Sequence, residues 1–205
     1  VNVLVMAKAP VPGRVKTRLC PPCTPEQAAS VAAAALADTL AAVGTGTLVL
    51  SGRYDAPAGW GVVPQRGDGL GERLRHAFVD AGTTSLLVGM DTPQVTSALL
   101  DEAAATLRTD GVDAVLGPAA DGGWWTLGLR DPYHADVLVD VPMSTDRTGE
   151  LTLAALLHRE LRVVVLPTLR DVDTADDAHA VARECAAGSA FARAVAAHVP
   201  TGVRA

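Results

Sequence analysis

Aromatic residues and cysteines are scarce in this chain. Phe, Trp and Tyr make up 3% of its 205 residues. No Lys/Arg-rich run has aromatics interleaved with it, so the charge-plus-stacking pattern of a nucleic-acid-binding surface is missing. A formal net charge of −6 argues the same way and excludes nucleic acid as a partner. No apolar run is long enough to span a bilayer: the most apolar stretch, about Ala28–Val43, is interrupted by Ser30, Asp38 and Thr39. The first residues carry neither a basic n-region nor a signal-length apolar segment, which predicts a cytoplasmic protein with no membrane partner.

Cys20, Cys23 and Cys185 make an odd count, which weakens a disulfide framework. Cys20-Pro21-Pro22-Cys23 has the CxxC spacing, but a zinc site needs about four ligands, and no second CxxC or paired-His motif accompanies it. The two thiols are read as small apolar residues in a Pro-rich turn. His76, His134, His158, His179 and His198 show no ligand spacing, and no Ser/His/Asp nucleophile arrangement is present.

What the sequence does have is a cationic loop. After the apolar run Val3–Met6, the segment Lys8–Arg18 carries Lys8, Arg14, Lys16 and Arg18, and the first carboxylate of the protein is Glu26. Such a loop leaving a buried strand suits a polyphosphate, held by the cations and by backbone N–H groups around Gly13; a solvated basic loop is the alternative. Lys16-Thr17 is not the end of a Walker A loop, because Val15 stands where a glycine must precede the lysine.

Thr24-Pro25-Glu26-Gln27 predicts a capped helix start, and the helix should run to about Val43 and stop at Gly44. Strands are expected at Thr47–Leu50, near Val62-Val63, and over Ser85–Gly89, Asp113–Leu116, Trp124–Leu129 and Leu161–Leu166, the last buried. Helices are expected over about Glu72–Ala81, Val95–Arg108, Tyr133–Leu138, Glu150–Arg159 and Asp176–Ala187, with a further short one at the end. The glycine-dense turn Gln65–Gly71 is a poor dinucleotide fingerprint, since its third glycine falls one residue early. Alternation of this kind predicts one α/β domain over residues 1–205, three-layered around a mostly parallel sheet.

Ligands of open α/β sheets sit beyond the carboxyl ends of the strands. That rule brings the Lys8–Arg18 loop, Asp91, Asp121, Asp171 and Asp173 to one rim, where Mg²⁺ could be shared by carboxylates and a substrate phosphate. Each acid has a plainer reading as a helix cap or turn residue. Trp124 and Trp125 are adjacent in a strand and should face opposite sides of the sheet.

Four segments taken in order, Ala7–Leu19, Gln65–Arg73, Gly89–Pro93 and Gly117–Trp125, resemble the DUF2064 family, which has a glycosyltransferase-A (nucleotide-diphospho-sugar transferase) fold. Lys16–Leu19 and Asp171–Thr174 are also similar to the guanylyltransferases of coenzyme F420 biosynthesis. The resemblance implies a nucleoside triphosphate or nucleotide-sugar bound by Lys8, Gly13, Arg14, Lys16 and Arg18, with Gln65, Gly69 and Gly71 near base and ribose. It implies Mg (or Mn) on Asp91 and Asp173, with Asp171 the second choice to Asp173. A small acceptor would lie against Gly122, Gly123, Trp124 and Trp125. Lys16 would neutralise phosphate in the reaction, and in an inverting glycosyl transfer Asp121 is the available base on the acceptor side. Nucleotidyl and glycosyl transfer both stay open, as do a non-catalytic nucleotide-binding module and a homodimer.

Overall fold

The apolar stretches become the strands of one seven-stranded sheet in the computed structural model, which describes residues 1–201. The strands are β1 (Asn2–Lys8), β2 (Thr47–Ser51), β3 (Gly61–Pro64), β4 (Ser85–Gly89), β5 (Ala114–Pro118), β6 (Trp124–Leu129) and β7 (Val163–Val165). Their order across the sheet is β3-β2-β1-β4-β6-β5-β7. β6 alone runs against its neighbours, antiparallel to both β4 and β5, so the sheet is mostly parallel, as expected. The central strands read as continuous apolar runs because helices cover both faces of the sheet.

The helices are α1 (Pro25–Val43), α2 (Leu70–Ala81), α3 (Ser97–Arg108), α4 (Thr148–His158), α5 (Ala175–Glu184) and α6 (Ala190–His198), with 3₁₀ turns at Thr17–Leu19 and Pro132–Val139. α1 begins with the expected reciprocal cap: Gln27 N–H donates to the Thr24 hydroxyl at 3.2 Å and Thr24 N–H to the Gln27 amide oxygen at 2.8 Å. Gly44, at φ 77°, ends it. No helix among the described residues is long and apolar enough to cross a membrane.

Pleating sends alternate residues of β1 to opposite faces. Leu4 joins Leu87, Leu116 and Leu127 beneath α2, α4 and the Pro132–Val139 turn. Val5 and Ala7 pack with Leu48 and Leu50 against α1, and α3 covers Leu86, Val88 and Val115. α1 is buried on two sides. Ala29, Ala32 and Leu36 face the sheet, while Ala28, Val31 and Ala35 face Val181, Phe191 and Val195 of α5 and α6. Small side chains on both sides let α1 serve as an inner layer, which explains its Ala-rich composition and weak amphipathicity.

Two expectations are corrected. The apolar run Leu161–Leu166 is no buried strand: only residues 163–165 pair, at the sheet edge, and Val165 is 52% exposed while Leu161 and Leu166 at its ends are buried. A run of valines does not reveal that a strand has one neighbour instead of two. α5 stops at Glu184, short of Ala187, and Ser189 caps the next helix.

One carboxylate of α1 meets the start of α6. Asp38 of α1 accepts N–H groups of Ala190 and Phe191 at 3.0 and 2.7 Å, holding the start of α6. Asp38→Ala should therefore lose about 2 kcal/mol of stability in urea unfolding, and an unchanged midpoint would show that α6 is held by packing alone.

Candidate functional site

Because β1, β4, β5 and β7 point the same way, the loops that follow them open on one edge, and the reversed β6 begins there. The loop after β1 is pegged down by Val15 and Leu19, 7% and 0% exposed. Lys16 starts the 3₁₀ turn in the left-handed conformation, at φ 48°, a backbone cost of order 1 kcal/mol that marks a position held by its surroundings. Its side chain is 6% exposed; the ammonium lies 2.5 Å from Asp91 Oδ1 and donates to the Val172 carbonyl. Arg18 Nη1 meets Asp173 Oδ2 at 2.8 Å. Lys8 and Arg14 line the same hollow, of about 240 Å³, whose wall is completed by Met90, Asp91 and Asp173.

The carboxylates come from the opposite side of the rim. Beyond β7 the chain continues alongside β5: Ala120 N–H donates to the Leu169 carbonyl and Leu169 N–H to that of Pro118. Gln94 Nε2 then donates to Arg170 O at 2.6 Å and Val172 N–H to Asp91 O at 3.0 Å. This stitching delivers residues 171–173 to Asp121. Carboxylate oxygens of Asp121, Asp171 and Asp173 lie within 4.8 Å of one another. Burial pushes the Asp171 carboxyl up to about 6, and the Asp121 and Asp173 charges add to the rise, while its own backbone N–H and the Lys16 ammonium oppose it.

A tight turn fixes Asp121. Its Oδ1 accepts Gly123 N–H at 2.7 Å. Gly122 sits at φ +91°, and a Cβ there would come within 1.9 Å of the Asp146 carbonyl oxygen. These acids border a second hollow, of about 160 Å³, which shares Asp91 and Asp173 with the first. An all-oxygen donor set of this kind suits Mg²⁺ or Mn²⁺. Thr92, 2% exposed, borders the same hollow, and its buried hydroxyl finds no partner among the described residues.

The other expected site residues divide. Gln65 uses its amide N–H groups on the Ala7 and Val49 carbonyls, at 2.8 and 3.1 Å, and so ties the ends of β1 and β2 together. Gly69 caps α2 with open space around it, whereas a Cβ on Gly71 would meet the Leu138 carbonyl at 2.2 Å; Gly71 serves helix packing. Trp125 is 2% exposed and donates its indole N–H to Pro167 O at 3.0 Å. Trp124 faces the opposite side of the sheet, half-buried, with its Nε1 unpartnered. Of the CxxC pair, Cys23 is buried among α1, α5 and α6. The sequence did not single out Gln94, which carries no motif; Thr92 lies in the Gly89–Pro93 segment, but nothing there pointed to its hydroxyl.

The DUF2064 family model, described as an uncharacterized protein conserved in bacteria, matches residues 27–145. No curated protein matches the chain. Among solved structures, a candidate nucleotide-diphospho-sugar transferase from Desulfovibrio desulfuricans G20 is 28% identical, with a TM-score of 0.79 over 95% of this chain and 96% of the other. Rv0371c of Mycobacterium tuberculosis H37Rv is 22% identical, with a TM-score of 0.56 over 88% and 97%; the same protein has been solved in complex with manganese. A CMP:2-keto-3-deoxy-manno-octonic acid synthetase complexed with CTP, 12% identical, gives 0.53 over 88% and 95%. The last two likenesses concern the fold: all share the nucleotide-diphospho-sugar transferase architecture.

Gly122→Ala should cost about 2 kcal/mol in thermal or urea unfolding, because strain and the Asp146 contact both oppose it. A variant as stable as the parent would show that the turn relaxes freely.

Proposed function

The chain belongs to the DUF2064 family, and from that premise and the geometry of the rim we propose a Mg²⁺- or Mn²⁺-dependent transferase, one domain throughout, that moves a nucleotidyl group from a nucleoside triphosphate to a small acceptor. The observation that carries this reading is the meeting of four cations from one loop with the carboxylates of Asp91 and Asp173 across a single hollow. Lys8, Arg14, Lys16 and Arg18 match the charge of a triphosphate, and the open turn at Gly13 lets backbone N–H groups approach it.

Asp91 and Asp173 form the wall common to both hollows and would hold the ion. When bound, such an ion neutralises phosphate charge and polarises the attacked phosphorus. In the free protein Lys16 and Arg18 occupy these two carboxylates. Nucleotide and cation would then exchange partners with them, ammonium and guanidinium turning to phosphate.

The acceptor oxygen bonds to the α-phosphorus while the bridging P–O bond to pyrophosphate breaks, and the departing oxygen keeps the electron pair. A phosphate acceptor has no proton to lose; a hydroxyl acceptor gives its proton to Asp121, which stands in the second hollow. Most of the work is positioning and charge neutralisation. Glycosyl transfer is the second reading, favoured by the likeness to the Desulfovibrio protein; there the nucleoside diphosphate leaves and Asp121 deprotonates the acceptor.

Product analysis separates the readings, with pyrophosphate accumulating in the first and a nucleoside diphosphate in the second. Nucleotide binding without either product across a broad acceptor panel would instead indicate a binding module. Lys16→Ala should weaken triphosphate binding about ten- to hundredfold in calorimetry and strengthen Mn²⁺ binding in the absence of nucleotide, because Asp91 is released. Weakening of both would show that Lys16 only supports the loop. Asp91→Asn should abolish metal-dependent turnover with the fold intact, as read by steady-state assay and circular dichroism; full turnover at saturating substrate would remove Asp91 from the site.

A further inference from the structure

A hollow of about 200 Å³ is lined by the thioethers of Met6 and Met143; Met90 also borders it, but its side chain packs on the α1 face of the sheet, where its sulfur accepts Lys8 N–H at 3.3 Å. Met6 comes from β1 and Met143 from the segment before α4, so nothing in the local sequence requires them to meet. Leu70, Leu74 and Trp124 complete most of the lining, and Asp91 also borders the hollow. Leu70 is 40% exposed, a large aliphatic side chain left open in the first turn of α2. Trp124 carries a buried indole N–H with no partner among the described residues.

We infer that this hollow takes the hydrocarbon part of the acceptor: a monophosphate or alcohol bearing an aryl ring or a short branched alkyl group, its reactive oxygen at Asp91. The inference rests on the transferase reading for the identity of the ligand as acceptor. Thioether side chains are flexible and polarisable, and they mould to an apolar group better than branched residues do. A nucleobase suits the hollow poorly, because its several donors and acceptors would leave water for a wall that is almost entirely apolar. The base therefore lies elsewhere along the rim and the apolar group lies here.

The test is NMR of the intact protein with ¹³C-methyl methionine, titrated with phenyl phosphate, isopentyl phosphate, glycerol 3-phosphate and CMP. Phenyl and isopentyl phosphate should shift the Met6 and Met143 signals saturably and bind about tenfold or more tighter than glycerol 3-phosphate, which has the same charge. Leu70→Asp, at an exposed first-turn position where an acid is well tolerated, should remove most of that preference. Equal binding of glycerol 3-phosphate, silent methionine signals, or displacement of phenyl phosphate by CMP from the same signals would overturn the proposal. A parallel calorimetric titration with Mg²⁺ and nucleoside triphosphates keeps the two readings apart. If triphosphates fail to bind while phenyl phosphate still fills the hollow, the transferase reading falls and the apolar site stands; the reverse result removes the apolar site alone.

Discussion

The Lys16 ammonium is the junction of the molecule's working edge. It reaches from the loop after β1 to the Asp91 carboxylate after β4 and to the Val172 carbonyl beyond β7. Three segments far apart in sequence are thus referred to one buried cation. The pair is asymmetric: the lysine side chain is 6% exposed and the aspartate 52%. Lys16 has surrendered its water and needs partners, whereas Asp91 can exchange its own at little cost. An edge built this way is rigid in its backbone and adaptable in its charges, which suits a site where phosphate and cation arrive together.

Topology makes that junction available. With β6 reversed between β4 and β5, the turn Ala119–Gly123 closes at the same rim as the β1 and β4 loops. The chain after β7 follows β5 outward through the Ala119–Leu169 bridge before it reaches Asp171 and Asp173. Cations therefore approach from one side and carboxylates from the other, with Asp91 between them. Asp91 also borders the third hollow, so in the proposed reaction donor charge, ion and acceptor body would converge on one residue.

Much of this was legible in the sequence because it depends on local chemistry. The Thr24 and Gln27 cap, the stop at Gly44, the buried strands and the four loop cations are each dictated by residues within a few positions of one another. The rule placing ligands beyond strand ends then brought Asp91, Asp121, Asp171 and Asp173 to the same rim. What could not be read was long-range. The partners that Lys16 and Arg18 take are separated from them by up to 156 residues. The sheet-edge position of β7 depends on which strand pairs with it, and Gly71 looked like a ligand glycine although it answers to the Leu138 carbonyl. The meeting of Met6 and Met143 has no spacing that a sequence could display.

The central claim is that Asp91 and Asp173 exchange their loop cations for a metal ion when a triphosphate binds. Anomalous scattering from Mn²⁺, in crystals grown with a non-hydrolysable nucleoside triphosphate, tests it most directly. The expected result is an ion in contact with both carboxylates, with Lys16 Nζ moved to a phosphate oxygen. An ion seated on Asp121 and Asp171 while Lys16 still holds Asp91, or a triphosphate bound away from the loop after β1, would contradict it.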